Sequence, residues 1–169
     1  MSVVASKMAD AGVAVTTQDA IDLIWREADL LDRLDYKAWL ALWSADGRYI
    51  IPVDTTASDH EAVLNIVLDD AAMREARVKR LLSGFSMSSA PPARTVRTVS
   101  RFVVDTRDAT SVTLRGAMML VEHKYERTRT LAADVEYRIV ATADGLRLDR
   151  KVVRLVTGDD ALHGIGYLL

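Results

Sequence analysis

Apolar residues at Ile21, Ile24, Trp25, Ala28, Leu31 and Leu34 recur at three- and four-residue steps, with Asp22, Arg26, Asp29 and Arg33 elsewhere on the wheel. That spacing lays one apolar stripe along a helix and predicts one over Gln18–Arg33. Thr16, with Asp19 three residues on, gives a weak capping signal at its start. Asp35 is placed to cap a second, short helix through Tyr36–Trp43, where Trp39 and Trp43 share a face and suit a packed core better than a ligand platform. Asp46-Gly47 reads as a turn and Arg48–Val53 as a strand that Pro52 bends or ends. Residues 54–59 are small and polar, hence a loop. Glu61–Leu68 is ambiguous by periodicity, and its β-branched residues favour a strand. Asp70–Leu82 then reads as a helix with acid at its positive end and Glu75 four residues before Lys79 in the favourable order.

After a Gly/Ser-rich connection, 84–90, the prolines Pro91-Pro92 force an extended entry, and the rest of the chain reads as strands: Arg94–Asp105, Ser111–Glu126, Arg129–Thr142 and Leu146–Thr157. Ser111–Glu126 is apolar on both parities (Val112, Leu114, Met118 and Leu120; Ala117, Met119 and Val121), which predicts cover on both faces. Arg129–Thr142 alternates, with Leu131, Ala133, Val135, Tyr137, Ile139 and Ala141 on one side and Asp134, Glu136 and Arg138 on the other. Across the Ala143-Asp144-Gly145 hairpin turn, Arg147, Asp149 and Lys151 fall on the same outward side. The tail from Gly158 ends in Ile165-Gly166-Tyr167-Leu168-Leu169, an apolar terminus expected to dock on its own barrel or on a neighbouring subunit. Helices at the front and a meander behind predict an α+β domain, in which a strongly curved sheet around the front helices buries the Trp pair. Residues 1–16 read as a loose arm and 17–169 as a single domain.

Composition narrows the chemistry. The 169 residues fit one domain with a sizeable core, and a net charge of −2 gives no support to a nucleic-acid or anionic-membrane partner. With no cysteine, the chain has no disulfide, no thiolate nucleophile and no Cys-ligated zinc or iron–sulfur centre. No run approaches a membrane span, and the N-terminus lacks the long apolar core of a signal peptide, so a cytoplasmic location is expected. The three histidines, His60, His123 and His163, are too far apart for one helix to gather two, and no metal site is expected.

Particular segments carry a family resemblance. Arg26-Glu27-Ala28-Asp29-Leu30-Leu31-Asp32, then Trp39-Leu40-Ala41-Leu42-Trp43, then Asp46-Gly47-Arg48-Tyr49 and Pro52, resemble the start of the β (small) subunit of aromatic-ring-hydroxylating dioxygenases. Met73, Arg77 and Leu81 on their helix, followed by Pro91-Pro92-Ala93-Arg94-Thr95, resemble that family's most specific segment, although Ala93 stands where the family usually has Ser and Arg101 where it usually has Asn. Tyr137-Arg138 and the Arg150–Leu155 strand also fit. The resemblance spans roughly Gln18–Leu169.

What the resemblance implies is a cone-shaped α+β barrel with a mostly antiparallel sheet, of the nuclear-transport-factor-2-like (SnoaL-like) type. It implies a structural subunit without a cofactor, packed against a catalytic alpha (large) subunit that holds a Rieske 2Fe-2S cluster and a mononuclear iron. The assembly it implies is a homotrimer or a three-plus-three hexamer. The competing reading is a stand-alone dehydratase, isomerase or cyclase with a polar pocket in the barrel. Chains resembling ketosteroid isomerases place a general-base Asp just before the Pro of the first strand, and here that residue is Ile51. Tyr49 and His123 are the acid/base pair such an enzyme would use if both faced the cavity; Asp54 and His60 are weaker choices because they fall in a loop. Arg74, Arg77, Arg80, Arg94 and Arg97 form a basic stripe. It is either a solvated face or a subunit interface, where guanidinium groups clamp a partner's carboxylates.

Overall fold

The computed structural model describes residues 14–83, 91–156 and 165–169. Most of the N-terminal arm, the 84–90 connection, and the stretch 157–164 with His163 lie outside the described residues. Three helices, α1 (Thr17–Asp32), α2 (Tyr36–Leu40) and α3 (Ala71–Leu82), combine with six strands, β1 (Trp43–Pro52), β2 (Asn65–Asp69), β3 (Arg94–Arg107), β4 (Ser111–Lys124), β5 (Arg127–Thr142) and β6 (Gly145–Leu155). Each helix starts on the cap its sequence announced. Thr16 accepts from the Asp19 amide at 3.1 Å, Asp35 from Ala38 at 3.1 Å and Asp70 from Met73 at 2.9 Å, satisfying amides that have no partner inside the helix.

The strands form one sheet in the order β2-β1-β6-β5-β4-β3. All neighbours are antiparallel except β1 and β6, which run parallel. β2 and β3 are its edges, so the sheet curves without closing. Register shifts after Ser100, where Arg101 takes a left-handed φ of 56°, and between Arg138 and Ile139 mark bulges that bend it. α1 packs chiefly along β3 and lays Ala20, Ile24, Ala28 and Leu31 into the core with the inward residues of β4, β5 and β6.

The structure corrects several sequence expectations. Trp43 starts β1 rather than ending α2, yet the Trp pair is still core: its rings meet edge-on at 5.4 Å. Asp46-Gly47 is not a turn but a bulge inside β1. A Cβ on Gly47 would stand 2.8 Å from the Trp43 ring, which is why a glycine sits there. Glu61–Leu68 contributes only the short β2. Trp25 is half exposed, with its indole N–H on the Val99 carbonyl at 3.0 Å, so it straps α1 to β3 rather than filling the core. The outward parity of β4 is uncovered, leaving Met119 and Val121 exposed. The alternation predicts Lys151 outward, but it is inward, because Arg138 pairs with Arg150 and Ile139 pairs with Leu148. The extra residue, Asp149, inverts the side-chain parity of the strand.

Two turns yield predictions. β4 and β5 are joined by Tyr125 and Glu126 alone, both left-handed (φ 50° and 60°), a two-residue hairpin geometry that favours Asn-Gly. Glu126→Gly is expected to raise stability by about 1 kcal/mol, read as a higher urea midpoint; a lower midpoint contradicts it. In the β3–β4 turn, Asp108 accepts from the Ser111 hydroxyl at 2.6 Å and from the Thr110 and Ser111 amides at 2.8 Å each. Led by the Ser111 hydroxyl, these hydrogen bonds pull its carboxyl down to about 2. Because the folded pKa is depressed, the turn's contribution is present above the ordinary Asp value of about 3.9 and is lost as pH falls through about 2. An NMR titration of the Asp108 carboxyl should show the low midpoint; one near 4, the ordinary value, refutes it.

Candidate functional site in the barrel interior

On α1 the buried positions run Ile24, Glu27, Ala28, Leu31, so a carboxylate points straight into the core. Glu27 accepts from the Trp39 indole N–H at 3.0 Å and from the Lys151 ammonium at 2.8 Å, and both partners of this ion pair are 1% exposed. The parity switch in β6 is what brings Lys151 inside. Burial pulls its pKa down, and the facing Glu27 opposes that fall. The Tyr49 and Tyr137 rings flank the ammonium, with centroids 5.8 and 5.5 Å away. Burial, with the charge of Glu27 adding to it, pushes both phenols above their usual range.

The end of the chain completes this centre. Lys151 donates to the Leu169 main-chain oxygen at 2.7 Å, and the Tyr49 hydroxyl donates to that oxygen at 3.1 Å while accepting from the Leu169 amide at 3.0 Å. Arg97 donates to the Leu168 carbonyl at 3.0 Å and is held from behind by Asp32, which also takes the Arg97 amide and the Thr95 hydroxyl at 2.8 Å each. The Tyr167 hydroxyl donates to Glu122, whose carboxylate is gripped by Arg129 at 2.8 and 3.0 Å. Leu168 and Leu169 are buried. Beside them a cavity of about 310 Å³ remains, lined by Ile51, Val67, Arg77, Arg80, Leu81 and the tail.

Tyr49 therefore lies inside the barrel, but both its hydrogen-bonding valences go to Leu169. His123 is elsewhere: it is exposed on β4 opposite Arg94 and Thr128, and its ring nitrogen bonds the Thr128 hydroxyl at 2.8 Å. The two do not share a cavity. Asp54 folds back on the Thr56 amide at 2.8 Å in its loop, and His60 is buried ahead of β2, where burial and then the Arg154 charge lower its pKa. Among the described residues no group of three or more His, Asp or Glu is placed to hold a metal ion.

The arginine stripe divides. Arg74 is 2% exposed, bonded to the Gly47 carbonyl and stacked 4.3 Å from the centre of the Trp43 ring. Arg97 is likewise spent inside the chain, so neither is an exposed interface group. Arg77 is half-buried and bidentate on Asp69; Arg80 and Arg94 are exposed. The residues that sequence reasoning missed are Glu27 and Lys151. The only signal for Glu27 was a carboxylate on an apolar helix stripe; for Lys151 there was none, since a bulge does not show in an alternating pattern.

The geometry defines a class first: an α+β domain with an open, curved sheet on helices, whose interior is committed to its own side chains and tail. Residues 26–158 match the family model described as ring hydroxylating beta subunit, and the chain belongs to that family. It is 28% identical over 145 residues to the small oxygenase component of the p-cumate 2,3-dioxygenase system of Pseudomonas putida, covering 84% of this chain and 80% of that one. The fold superposes on the beta subunit of the benzoate 1,2-dioxygenase from Burkholderia mallei with a TM-score of 0.75 at 22% identity, over 91% of this chain and 98% of that one. It also superposes on naphthalene 1,2-dioxygenase with indole bound in the active site, with a TM-score of 0.74 at 20% identity, over 90% and 84%. The chain is thus a beta subunit of a ring-hydroxylating dioxygenase, and the stand-alone enzyme reading is not favoured.

Proposed function

We propose that this beta subunit works by assembly: it holds a catalytic alpha subunit in a three-plus-three hexamer and contributes no reacting group. The observation that carries this reading is the interior, where Glu27, Lys151 and Tyr49 are already bonded within the chain, Glu27 to Trp39 and Lys151, and Lys151 and Tyr49 to the tail. The Rieske cluster and mononuclear iron belong, on this reading, to the alpha partner; the absence of cysteine here agrees with that division.

Exposed surface supplies the contacts. Val96 faces Val121 across β3 and β4, Met119 faces Ala132 across β4 and β5, and Val156 donates its amide to the Ala132 carbonyl. Val96, Met119, Val121 and Val156 are all exposed and form one apolar strip on the outer face of the sheet. Such a strip suits a contact between copies about a three-fold axis. Arg80 and Arg94 remain as the exposed basic groups for an alpha partner's carboxylates, Arg77 being taken by Asp69.

The reading is tested by co-expression with a candidate alpha subunit, followed by light scattering after size exclusion and an iron assay. A co-eluting hexamer whose iron appears only with the partner is expected. A chain that ignores every such partner and turns over substrate alone contradicts it.

A further inference from the structure

Five residues, Ile165–Leu169, belong to no strand or helix, and side chains from other elements bond the main chain of Leu168 and Leu169. The donors come from three separate strands: Tyr49 on β1, Arg97 on β3 and Lys151 on β6. A fourth strand, β4, supplies Glu122 as acceptor for the Tyr167 hydroxyl. Two adjacent leucines fill the apolar space between these anchors. The match to the family ends at residue 158 and leaves this segment unassigned.

We propose that the barrel interior is a peptide-binding site whose resident ligand is the chain's own Ile165–Leu169. A loop packed on a core hides its backbone by bonding to itself or by facing water. Here Arg97 reads the Leu168 oxygen, and Lys151 and Tyr49 read the Leu169 oxygen, Tyr49 also its amide; Asp32 holds Arg97 and Glu27 holds Lys151 from behind, while Arg129 holds the Glu122 that takes the Tyr167 hydroxyl. Specificity follows from the same contacts. The site asks for a phenol two positions before the second of two leucines, that apolar pair to fill the pocket, and a main-chain oxygen on the second leucine for Lys151 and Tyr49. The class of ligand is a short peptide carrying Tyr-Leu-Leu, supplied by this chain itself.

The test keeps the full chain and lets it fold with its tail. A protease recognition sequence is placed between Val156 and Ile165, and the folded protein is cut. The cut tail is expected to stay with the body through gel filtration, and a fluorescein-labelled Ile-Gly-Tyr-Leu-Leu peptide is expected to exchange into the site at one per body. Aspartate in place of both leucines of the peptide should weaken binding about a hundredfold or more. Tyr49→Phe, which keeps the ring and removes only the hydroxyl, should weaken it about tenfold. Three results would overturn the proposal: immediate loss of the cut tail while far-UV circular dichroism and tryptophan fluorescence are unchanged, equal binding of the Asp-containing peptide, or unfolding of the body on cutting, which would make the segment ordinary core.

Discussion

Glu27→Ala should destabilise the chain by about 3–5 kcal/mol. The change removes the carboxylate that faces Lys151, itself 1% exposed, and the acceptor of the Trp39 indole N–H. Lys151 then keeps the Leu169 oxygen as its one hydrogen-bond partner among the described residues, and an ammonium buried without a counter-charge is among the most costly states in a protein core. The sign with pH follows. Burial already lowers the Lys151 pKa and Glu27 opposes that fall, so in the variant the folded pKa drops further. Between that depressed value and the ordinary Lys value of about 10.4, the unfolded chain binds more protons than the folded one, and stability rises with pH. Replacing both partners by apolar residues of similar shape, Glu27→Leu with Lys151→Met, should recover most of the loss, because the desolvation cost disappears with the charges. Urea denaturation of the three proteins decides the matter. A loss below about 1 kcal/mol in Glu27→Ala would mean that Lys151 reaches solvent, against the geometry described.

The second large effect is expected outside the barrel. Met119→Asp together with Val121→Asp places two carboxylates in the exposed apolar strip of the outer sheet face. Both side chains are about half exposed in the single chain, so folding should be nearly unaffected, within about 0.5 kcal/mol. Self-association should weaken by about two orders of magnitude or more, since each contact between copies would then bury unpaired charge. Sedimentation or light scattering against concentration reads the assembly, and the urea midpoint of the same samples reads the fold. An unchanged assembly would move the subunit contact to another face. A coupled fall in the urea midpoint would show that the strip packs within the chain.

Local signals carried much of this architecture. Thr16, Asp35 and Asp70 named the three helix starts because a cap is read from a few adjacent residues. The alternation of Leu131 to Ile139 named the inward face of β5 because its period is undisturbed. The failures fall where one strand departs from regularity against another: at Asp46-Gly47 in β1, where a turn-like dipeptide makes a bulge, and at Asp149 in β6, where one extra residue turns Lys151 from outside to inside. Nothing local distinguishes a bulged strand from a regular one. The interior centre was legible only in part for the same reason. Tyr49 was picked, but its partners Glu27, Lys151 and Leu169 lie 22, 102 and 120 residues away, and only the folded sheet brings them together. Arg74 and Arg97 were read with the exposed arginines because a stripe at helical or strand spacing does not reveal which members turn inward.

The most direct test of the central claim, that this subunit supports catalysis without a reacting group of its own, is turnover per iron in the reconstituted complex carrying Tyr49→Phe or His123→Ala. The account predicts turnover equal to the unsubstituted complex once assembly and iron content are matched. A fall of about a hundredfold or more, the size expected when a general acid or base is removed, in a complex of unchanged size and iron content would place chemistry in this barrel and contradict it.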